Sequence, residues 1–401
     1  MFTTANFFIS ILALGTLASC AYLALVIGVT RQFCTERQKA RDKIASEGRA
    51  DLTPSLTQIK PLRTIPDNLE RECLKSFINQ NYPKSKNQVI LALDGHCQNT
   101  PCSEEERQLL ALGDNTEISL GKVNSLNKKI SVCIEAEKRA QGDIIILSDA
   151  DMIAPTNLLS DIVDLAANQD VGLVTCLYTV KHMPSYGSLL EGISVNDFCA
   201  SVLVARLVEG INFALGAVMA LKKEALQKIG GLAVVKDYLA DDYQLGYRIA
   251  QSGLRVVLSR EVVEDVVGDM SFSEYFTHQL RWMRTYRVSR PGGFLSFFIT
   301  QGLFWSSMLV FTALISGSSF LVYAEILASL WIFLRFFSSA YTWSVFAEKR
   351  SEPFQVKYLV FSLVKDFIYI ILWLAAFAGD KVEWSGKKYK VNANGTLKAL
   401  D

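Results

Sequence analysis

The stretch IIILSDAD, residues 144–151, joins an unbroken apolar run to two carboxylates, Asp149 and Asp151, that are separated by one alanine. Consecutive branched aliphatic residues predict a buried strand, because such side chains fit the interior of a sheet. The end of a rigid strand would hold both carboxylates in one cleft, and carboxylate oxygens are the ligands that Mg²⁺ and Mn²⁺ prefer. The stretch therefore predicts a metal site that also binds phosphate. A chance acidic pair on a solvated loop is the alternative.

The surrounding chain, about residues 59–285, alternates short apolar runs with helix-like segments. Besides the opening stretch, strands are predicted at 88–95 and 171–180, and helices at 103–112, 127–140 and 156–168. This alternation indicates an α/β fold with a largely parallel sheet and helices on both faces. Ligands of such sheets bind at the carboxyl ends of the strands, where Asp94 and Asp149 are expected. Residues 182–215 contain several glycines and are predicted to be less regular.

The first 30 residues carry no charged side chain and predict a transmembrane anchor, since they exceed the ~20 apolar residues that a bilayer requires. A cleaved signal peptide is the alternative, but it would have a basic residue before a shorter apolar core. Residues 31–58 form a basic linker, and positive charge beside a membrane segment favours the cytosolic side. The middle domain, 59–290, is therefore predicted to face the cytosol.

The apolar pattern returns over residues 291–380, which predict membrane or interfacial helices. Candidate segments lie at about 294–316, 319–346 and 357–379, and the last two contain Arg335, Lys365 and Asp366. Charged side chains within an apolar segment either face other segments of the protein or mark the ends of the helices. The tail, 381–401, carries five lysines and favours the cytosolic side. We therefore predict that the first of the three segments does not cross, and that the tail packs on or beside the middle domain.

The overall composition restricts the partners. The formal net charge is +1, so bulk charge gives no reason to expect a nucleic-acid partner. The eight cysteines are scattered and form no CxxC pair, which fits free thiols in a reducing compartment. A membrane, rather than a nucleic acid, is the expected partner.

Four short motifs follow one another along the chain. They are Asp94, the Asp149–Asp151 pair, ADDY at 240–243 and HQLRW at 278–282. Their order, D, DxD, (E/D)D and (Q/R)xxRW, resembles that of membrane-anchored inverting glycosyltransferases with the GT-A fold. The chain is most similar to family 21, the ceramide glucosyltransferases and their bacterial relatives, which include hopanoid glycosyltransferases. Further segments that carry the resemblance are NQNYP (79–83), GKVNSLNKK (121–129), NQDVGLV (168–174), GGL (230–232) and WSGKKYKV (384–391).

The resemblance implies a fold class and a nucleotide-sugar site. The fold would be a GT-A-type α/β domain with a Rossmann-like mixed sheet, an N-terminal transmembrane anchor and C-terminal membrane helices. Asp149 would face the sugar and a Mg²⁺ or Mn²⁺ ion, and Asp151 would complete the metal site. The residues expected to line the UDP moiety are Asp94, at the uridine, and Lys122, Asn127 and Lys129. Alternatively, the two lysines are solvated residues at the start of a helix.

The resemblance also implies catalytic roles. Arg281 would stabilise the charge that develops on the leaving diphosphate. His278 occupies a position where glutamine or arginine is more usual, and its charge would depend on pH. Trp282 would stack nearby or line the acceptor site, unless it is a membrane-interface aromatic. Asp242 would be the general base, with Asp241 orienting its neighbours. Both acids could instead merely favour a helix dipole.

The resulting prediction is an enzyme that moves one sugar, glucose by preference, from a UDP-sugar to a lipid hydroxyl, most simply that of ceramide. Alternatives are a hopanoid N-acetylglucosaminyltransferase, a processive polysaccharide synthase and a non-catalytic lipid-binding scaffold. The small number of membrane segments argues against a processive synthase, and the intact acidic residues argue against a non-catalytic scaffold. The stretch GHCQNTPC, 95–102, differs from the acidic stretch usual in the family and leaves the donor sugar open. The membrane would be the inner or plasma membrane in a bacterium and Golgi-type in a eukaryote.

Overall fold

The computed structural model describes residues 4–47, 53–63, 66–95, 109, 111–346 and 354–400. The chain forms two compact units, neither of which is contiguous in sequence. The first unit consists of Met1–Thr35, His182–Val208 and Gly268–Gly386, and the second of Glu36–Lys181, Glu209–Val267 and Lys387–Asp401. The sequence predicts one domain at 59–290, so the units differ from that boundary at 182–208 and 268–290. Most of the predicted helix at 103–112 lies outside the described residues.

Twelve α-helices and eleven strands are found in the described part of the chain. The helices are α1 (Thr4–Glu47), α2 (Asn68–Ile78), α3 (Lys128–Arg139), α4 (Leu158–Ala166), α5 (Tyr186–Glu209), α6 (Lys223–Lys228), α7 (Asp241–Gln251), α8 (Phe272–Ser289), α9 (Pro291–Ser296), α10 (Gly302–Ile315), α11 (Leu321–Phe346) and α12 (Lys357–Phe377). The strands are β1 (Leu56–Pro61), β2 (Asn87–Asp94), β3 (Thr116–Gly121), β4 (Ile144–Ser148), β5 (Met152–Ile153), β6 (Val171–Lys181), β7 (Val218–Lys222), β8 (Arg255–Val266), β9 (Lys381–Trp384), β10 (Lys387–Val391) and β11 (Leu397–Ala399).

The second unit is built on an eight-stranded mixed sheet with the strand order β3-β2-β1-β4-β7-β6-β8-β5. Strand β1 pairs in parallel with both β2 and β4, and β2 pairs in parallel with β3. Strand β7 runs antiparallel to β4 and β6. The predicted sheet is therefore present, with more antiparallel pairing than the sequence pattern indicated.

The aliphatic run that precedes the two carboxylates forms β4, and all five of its residues are buried. Ile145 and Leu147 belong to the main core of the unit, together with Ile59 of β1 and Met219 of β7. The chain proceeds from β1 to β2 and β3 on one side of β1 and then returns to place β4 on the other side. In open α/β sheets, a crevice forms at the carboxyl ends of the two strands where the order reverses. Here those strands are β1 and β4.

Helix α5 corrects the sequence analysis of residues 182–215, which were predicted to be less regular. The helix runs without a break through Gly187 and Gly192 over 24 residues. Glycine lowers helix propensity in isolation, but tertiary packing overrides propensity in a protein interior. A Cβ atom at Gly187 would collide with the Met270 carbonyl oxygen of the same unit. Glycine is therefore needed there for close packing rather than for a turn.

The first unit contains the helices that are apolar enough to cross a membrane. Within the described residues these are Thr4–Asp42 of α1 and the whole of α5, α11 and α12. Helices α9 and α10, with the 3₁₀ turn between them, form a further apolar pair bent by 48°. Helix α1 continues as far as Glu47, so the linker predicted over 31–58 is helical in its first part.

Four charged residues of the first unit lie among its apolar helices and pair with one another. Arg335 contacts Asp197 at 2.7 Å and Asp366 at 2.6 Å. Lys365 contacts the same two carboxylates at 2.6 and 3.0 Å. The cluster holds two acids and two bases, so each charge faces charges of opposite sign across α5, α11 and α12. This arrangement matches the expectation that charges within the apolar segments turn toward protein.

Candidate active site

The turn after β4 carries Asp149 and Asp151 and is held in place from two sides. The Lys60 ammonium group donates a hydrogen bond to the Asp149 backbone carbonyl at 2.9 Å. The Asp151 carbonyl accepts a hydrogen bond from the Val266 amide at 2.9 Å, and β5 pairs with β8 directly afterwards. The backbone of the turn is therefore fixed, and both carboxylates are carried on a rigid support.

Lys129 joins the two acidic motifs. Its ammonium group lies 2.5 Å from Asp149 Oδ1 and 3.7 Å from Asp241 Oδ2. Burial lowers the pKa of Lys129, but the charges of Asp149 and Asp241 outweigh this effect and raise that pKa overall. The sequence predicts that Lys129 lines a nucleotide. The structure shows that its charge already stabilises two carboxylates.

Gly216 lies between the two acidic motifs and shows how close they are. Its backbone amide donates a hydrogen bond of 2.9 Å to Asp242 Oδ2. A Cβ atom built on Gly216 would lie 3.3 Å from Asp242 Oδ2 and 3.4 Å from Asp149 Oδ2. Both carboxylates therefore border the same small space, and any side chain at this position would fill it. The sequence analysis assigned no role to this glycine.

Asp242 is held in one orientation at the start of α7. Its Oδ2 atom accepts from Gly216, and its Oδ1 atom accepts from the Tyr243 amide at 2.7 Å. Burial and the neighbouring Asp241 charge raise the pKa of Asp242 to about 6, although the Tyr243 hydrogen bond acts in the opposite direction. The carboxylate is thus ionised at neutral pH and still basic enough to accept a proton.

Asn127 connects the helix α3 to the loop before α7. Its side chain caps α3 by accepting from the Ile130 amide at 3.0 Å, and it donates to the Tyr238 carbonyl and to Asp241 Oδ1 at 3.0 Å each. The residue is fully buried. Its side-chain amide is engaged within the protein and holds the loop before α7, while the contact of Asn127 with the nucleotide stays a prediction.

Asp94 and Lys122 lie at the carboxyl ends of the two outer strands. Asp94 is the last residue of β2 and pairs in register with Gly121, the last residue of β3. Lys122 follows directly and is exposed to solvent, whereas Asp94 is partly buried. Both residues are thus on the edge of the sheet where Asp149 also lies, which is compatible with the predicted uridine and nucleotide contacts.

The donor set of the turn fits a divalent cation that is shared with a substrate. Asp151 is accessible to solvent but lies in a cleft, and desolvation together with the Asp149 charge raises its pKa to about 6. A bound cation would relieve this repulsion. No group of three histidine, cysteine, aspartate or glutamate side chains able to hold a metal occurs in the described part of the chain. Two carboxylates completed by phosphate oxygens and water are the usual ligands of Mg²⁺ in phosphate sites.

Lys60 is a site residue that the sequence analysis did not assign. It is a fully buried lysine of β1, and its ammonium group lies 3.2 Å from the centre of the Phe77 ring. Burial lowers its pKa to about 7. A lysine in the middle of an apolar strand is the signal that could have revealed it, since buried lysines are rare unless they are paired.

The fourth predicted motif, HQLRW on α8, belongs to the first unit and is described within it. The His278 ring lies 5.0 Å from the Trp282 ring, and His278 Nδ1 lies 3.0 Å from Glu191 Oε1. Glu191 is buried, and its other oxygen accepts a hydrogen bond from Gln279 at 2.8 Å. Arg281 follows on the same helix. Glu191 thus supports the motif from α5, a contact that sequence reasoning missed.

Comparison with known proteins identifies a family over almost the whole chain. The sequence profile of Glycosyl transferase family 21 matches residues 14–397. The chain is 20% identical to Ceramide glucosyltransferase 1 of Caenorhabditis elegans over 354 residues, which is 86% of this chain and 73% of that protein. It is 22% identical to Ceramide glucosyltransferase 3 of the same organism over 269 residues, 66% of this chain and 56% of that protein.

Two solved structures are similar at low identity. The mannosyltransferase PcManGT from Pyrobaculum calidifontis, in complex with GDP-Man and Mn²⁺, has a TM-score of 0.48 at 19% identity and covers 88% of this chain and 99% of its own. GalNAc-T7 with UDP, GalNAc and Mn²⁺ has a TM-score of 0.41 at 10% identity, covering 60% and 52%. Both scores lie below 0.5, and we draw nothing further from them.

The family match includes the mixed sheet, the four acidic positions and the apolar helices at both ends of the chain. It confirms the predicted family, the predicted GT-A-type α/β fold class and the predicted enzyme class. The chain therefore belongs to glycosyl transferase family 21 and is a glycosyltransferase.

Proposed function

We propose that this glycosyltransferase moves one glucose from UDP-glucose to the hydroxyl group of ceramide at a membrane surface, with inversion at the anomeric carbon. The observation that carries the proposal is the shared space beside Gly216, which Asp149 and Asp242 border from two sides. Transfer from a nucleotide-sugar requires one acid that binds the metal, here Asp149, and a second acid that can accept a proton, here Asp242. Family membership supplies the reaction class.

Asp242 acts as the general base in this proposal. Each of its carboxylate oxygens accepts one backbone hydrogen bond, and the carboxylate can still accept the proton of an incoming hydroxyl group. Its pKa of about 6 leaves it ionised at neutral pH, close to the value at which a general base works best. Asp241 holds Lys129 and Asn127 in place and thereby positions the start of α7.

Asp149 and Asp151 hold the donor diphosphate through Mg²⁺ or Mn²⁺. A bound divalent cation supplies Lewis acidity that offsets the charge developing on the leaving UDP. Lys129, whose ammonium group lies 2.5 Å from Asp149, would add positive charge beside the diphosphate. Asp94 and Lys122, at the same edge of the sheet, are assigned to the nucleoside and the phosphates.

The α8 motif completes the proposed machinery. Arg281 is assigned to the diphosphate because a guanidinium group binds phosphate through two parallel hydrogen bonds. His278 is assigned a second hydrogen bond to the same group, with its ring held by Glu191 and Trp282. Trp282 also packs against Phe198 at 5.6 Å and is assigned to the wall of the acceptor site.

The apolar helices of the first unit support a membrane location, and their packing supports a proposal for which of them cross. Helices α1 and α11 run antiparallel, because Ile9 shares a cluster with Ala324 while the Phe33 and Phe346 rings lie 6.4 Å apart at the other end. Ile9 to Phe33 spans about 36 Å of helix at ~1.5 Å per residue, enough for a bilayer. Ala313 of α10 joins the first cluster. Helix α10 therefore ends on the same side of the membrane as the N-terminal end of α1, and α11 crosses back to the opposite side.

We propose that both ends of helix α12 lie on one side of the membrane. The first turn of α12 packs against the C-terminal end of α11, where the Tyr358 ring stacks on the Trp343 ring at 4.2 Å. Just beyond its last turn, the Gly379 carbonyl accepts a hydrogen bond from Arg287 of the polar helix α8 at 3.0 Å. We therefore assign α12 to the membrane interface or to a re-entrant path. The sequence had favoured the first C-terminal segment, 294–316, as the one that does not cross.

Helix α5 is also long and apolar enough to cross a membrane, but most of it is buried inside the protein. Basic residues in the second half of α1 favour the cytosolic side for the catalytic unit. Labelling of single cysteines in sealed vesicles tests this orientation. Ser318→Cys, between α10 and α11, should react with an impermeant reagent from outside, and Asn394→Cys should be protected. Labelling of Asn394→Cys from outside would contradict the proposal.

The activity test uses the purified full chain in lipid nanodiscs. It is incubated with UDP-glucose, UDP-N-acetylglucosamine, UDP-galactose or UDP-glucuronate, each with ceramide or with a hopanoid polyol, and the lipids are analysed by mass spectrometry. We expect a ceramide mass increased by one hexose with UDP-glucose. A hopanoid product would reassign the acceptor, a polymer would reassign the enzyme to the processive synthases, and a lack of any transfer with all pairs would contradict the proposal.

A further inference from the structure

The C-terminal tail contacts the loop that directly precedes the acidic pair, Asp241 and Asp242. The loop, residues 236–240, directly precedes Asp241, and the tail strand β11 follows a tight turn at Gly395. The Leu397 amide donates a hydrogen bond to the Asp237 carbonyl at 2.8 Å. Tyr238 and Thr396 form an antiparallel bridge. The tail therefore adds a short antiparallel partner to the loop, and the predicted packing of the tail on the second unit is observed.

The opposite side of the same loop is held by the predicted nucleotide segment. The Asn127 amide donates to the Lys236 carbonyl at 3.0 Å, and the Asn127 side chain donates to the Tyr238 carbonyl. The Leu126 amide approaches Asp237 Oδ1 at 3.4 Å. The loop thus lies between two segments that are distant in sequence, and both hold it through backbone groups. Removal of either partner would free half of its polar contacts.

The tail is anchored by its own small core rather than resting loosely on the surface. Tyr389, Val391 and Leu397 are buried, and β10 pairs with β11 in antiparallel register. The turn between these strands requires a positive φ of 85° at Gly395, whose carbonyl also approaches the Leu239 amide at 3.5 Å. A β-branched residue is strongly disfavoured at such a φ, so this glycine sets the geometry of the contact.

We propose that the C-terminal tail, residues 387–400, is a positioning segment of the active site that fixes the orientation of Asp241 and Asp242. The inference rests on the proposed role of Asp242 as the base. A base must be held within a fraction of an ångström of its working position, and small displacements cost large factors in rate. Segment 236–240 contains no helix or strand: Lys236 caps the preceding 3₁₀ helix, and Tyr238 forms the isolated bridge to the tail. The partners of the segment therefore determine where α7 begins.

The test compares two glycines of the tail region. Gly395→Val strains the turn that contacts the loop. Gly386→Val imposes a similar backbone strain at a φ of 70°, in a turn where a Cβ atom meets nothing within 4 Å. We expect Gly395→Val to lower kcat by about 10- to 100-fold, with the affinity for UDP changed by less than about twofold. Gly386→Val should retain the wild-type kcat. Equal kcat values for both variants would overturn the proposal.

A second measurement does not depend on activity. Hydrogen exchange of the full chain is compared with that of a chain that ends at Asn392. We expect the amides of 237–241 to exchange faster in the shortened chain, while those of 144–148 in β4 stay protected. Unchanged protection of 237–241 would overturn the proposal even if the chain proved to use a different donor or acceptor. Absence of transfer by the wild-type protein would count against the proposed function alone, because exchange still decides the role of the tail.

Discussion

Each of the two units contains a cluster of charged side chains, and the clusters differ in the balance of acids and bases. In the first unit, two acids face two bases, namely Asp197 and Asp366 with Arg335 and Lys365, at distances of 2.6 to 3.0 Å. In the second unit, the carboxylates of Asp149, Asp151, Asp241 and Asp242 lie near two ammonium groups among the described residues: Lys129 contacts two of the carboxylates, and Lys60 binds the Asp149 backbone carbonyl. The first cluster is neutral when fully ionised, whereas the second keeps two excess negative charges.

This difference separates a structural cluster from a functional one. Buried ions that pair completely join helices and leave nothing for a ligand to neutralise. Carboxylates that lack enough partners resist ionisation, and burial raises the pKa of both Asp151 and Asp242 to about 6. Such perturbed groups in a cleft are typical of sites that receive a cation or a proton. The comparison therefore predicts opposite responses to charge removal in the two units.

The largest effect is expected at the base. Asp242→Asn removes the proton acceptor and can keep only one of the two backbone hydrogen bonds, because the amide nitrogen donates rather than accepts. We expect kcat to fall by about 10²- to 10⁴-fold. Binding of UDP should be retained. Asp170→Asn, an exposed acid paired with Arg255, is the matched control and should leave kcat unchanged. Normal turnover by Asp242→Asn would require Asp241 to be considered as the base.

Removal of one partner from the balanced cluster should destabilise the fold rather than the chemistry. Arg335→Met leaves two buried carboxylates with one lysine, which should cost about 3–5 kcal/mol. Arg255→Met breaks the exposed pair with Asp170 and should cost about 1 kcal/mol or less. Thermal unfolding of the two variants, carried out in one and the same detergent, measures both losses of stability. A small effect of Arg335→Met on the melting temperature would show that this cluster is not structural.

Lys60 belongs to the unbalanced cluster, although its ammonium group contacts the Asp149 backbone carbonyl and the Phe77 ring rather than a carboxylate. Lys60→Met should keep the buried volume but remove the hydrogen bond that holds Asp149, weakening metal-dependent UDP binding by about 10-fold. Lys86→Met, at an exposed lysine that bonds the Thr53 carbonyl, is the control. Titration calorimetry with UDP and Mn²⁺ makes the comparison. If both variants bind as the wild type does, the turn is held without Lys60.

The pH dependence should follow the raised pKa values. Asp242 must be ionised to accept a proton, so kcat should fall by about tenfold per pH unit below its pKa of about 6 and level off above it. Protonation of Asp151 acts in the same direction, because the neutral acid is a poor metal ligand. Rates measured from pH 5 to 8 test this, and a flat profile between pH 5 and 6.5 would be incompatible with Asp242 as the base.

Local patterns were sufficient to predict β4 and its two carboxylates, because a strand and the residues that follow it are continuous in sequence. The support of that turn could not be predicted in the same way. Lys60 is separated from Asp149 by 89 residues, and Gly216 comes close to Asp149 through the pairing of β7 with β4. Hydropathy likewise identified α12 as apolar but says nothing about where its two ends lie. Tertiary contacts alone carry that information.

The central claim is that the unbalanced cluster binds a divalent cation together with a UDP-sugar. Calorimetric titration of UDP into the full chain, with Mn²⁺ and again with EDTA, tests it most directly, beside the isosteric variant Asp151→Asn. We predict that EDTA weakens UDP binding by the wild type at least about 10-fold and that Asp151→Asn binds UDP weakly in both conditions. Equal UDP affinity of the wild type with Mn²⁺ and with EDTA would contradict the account.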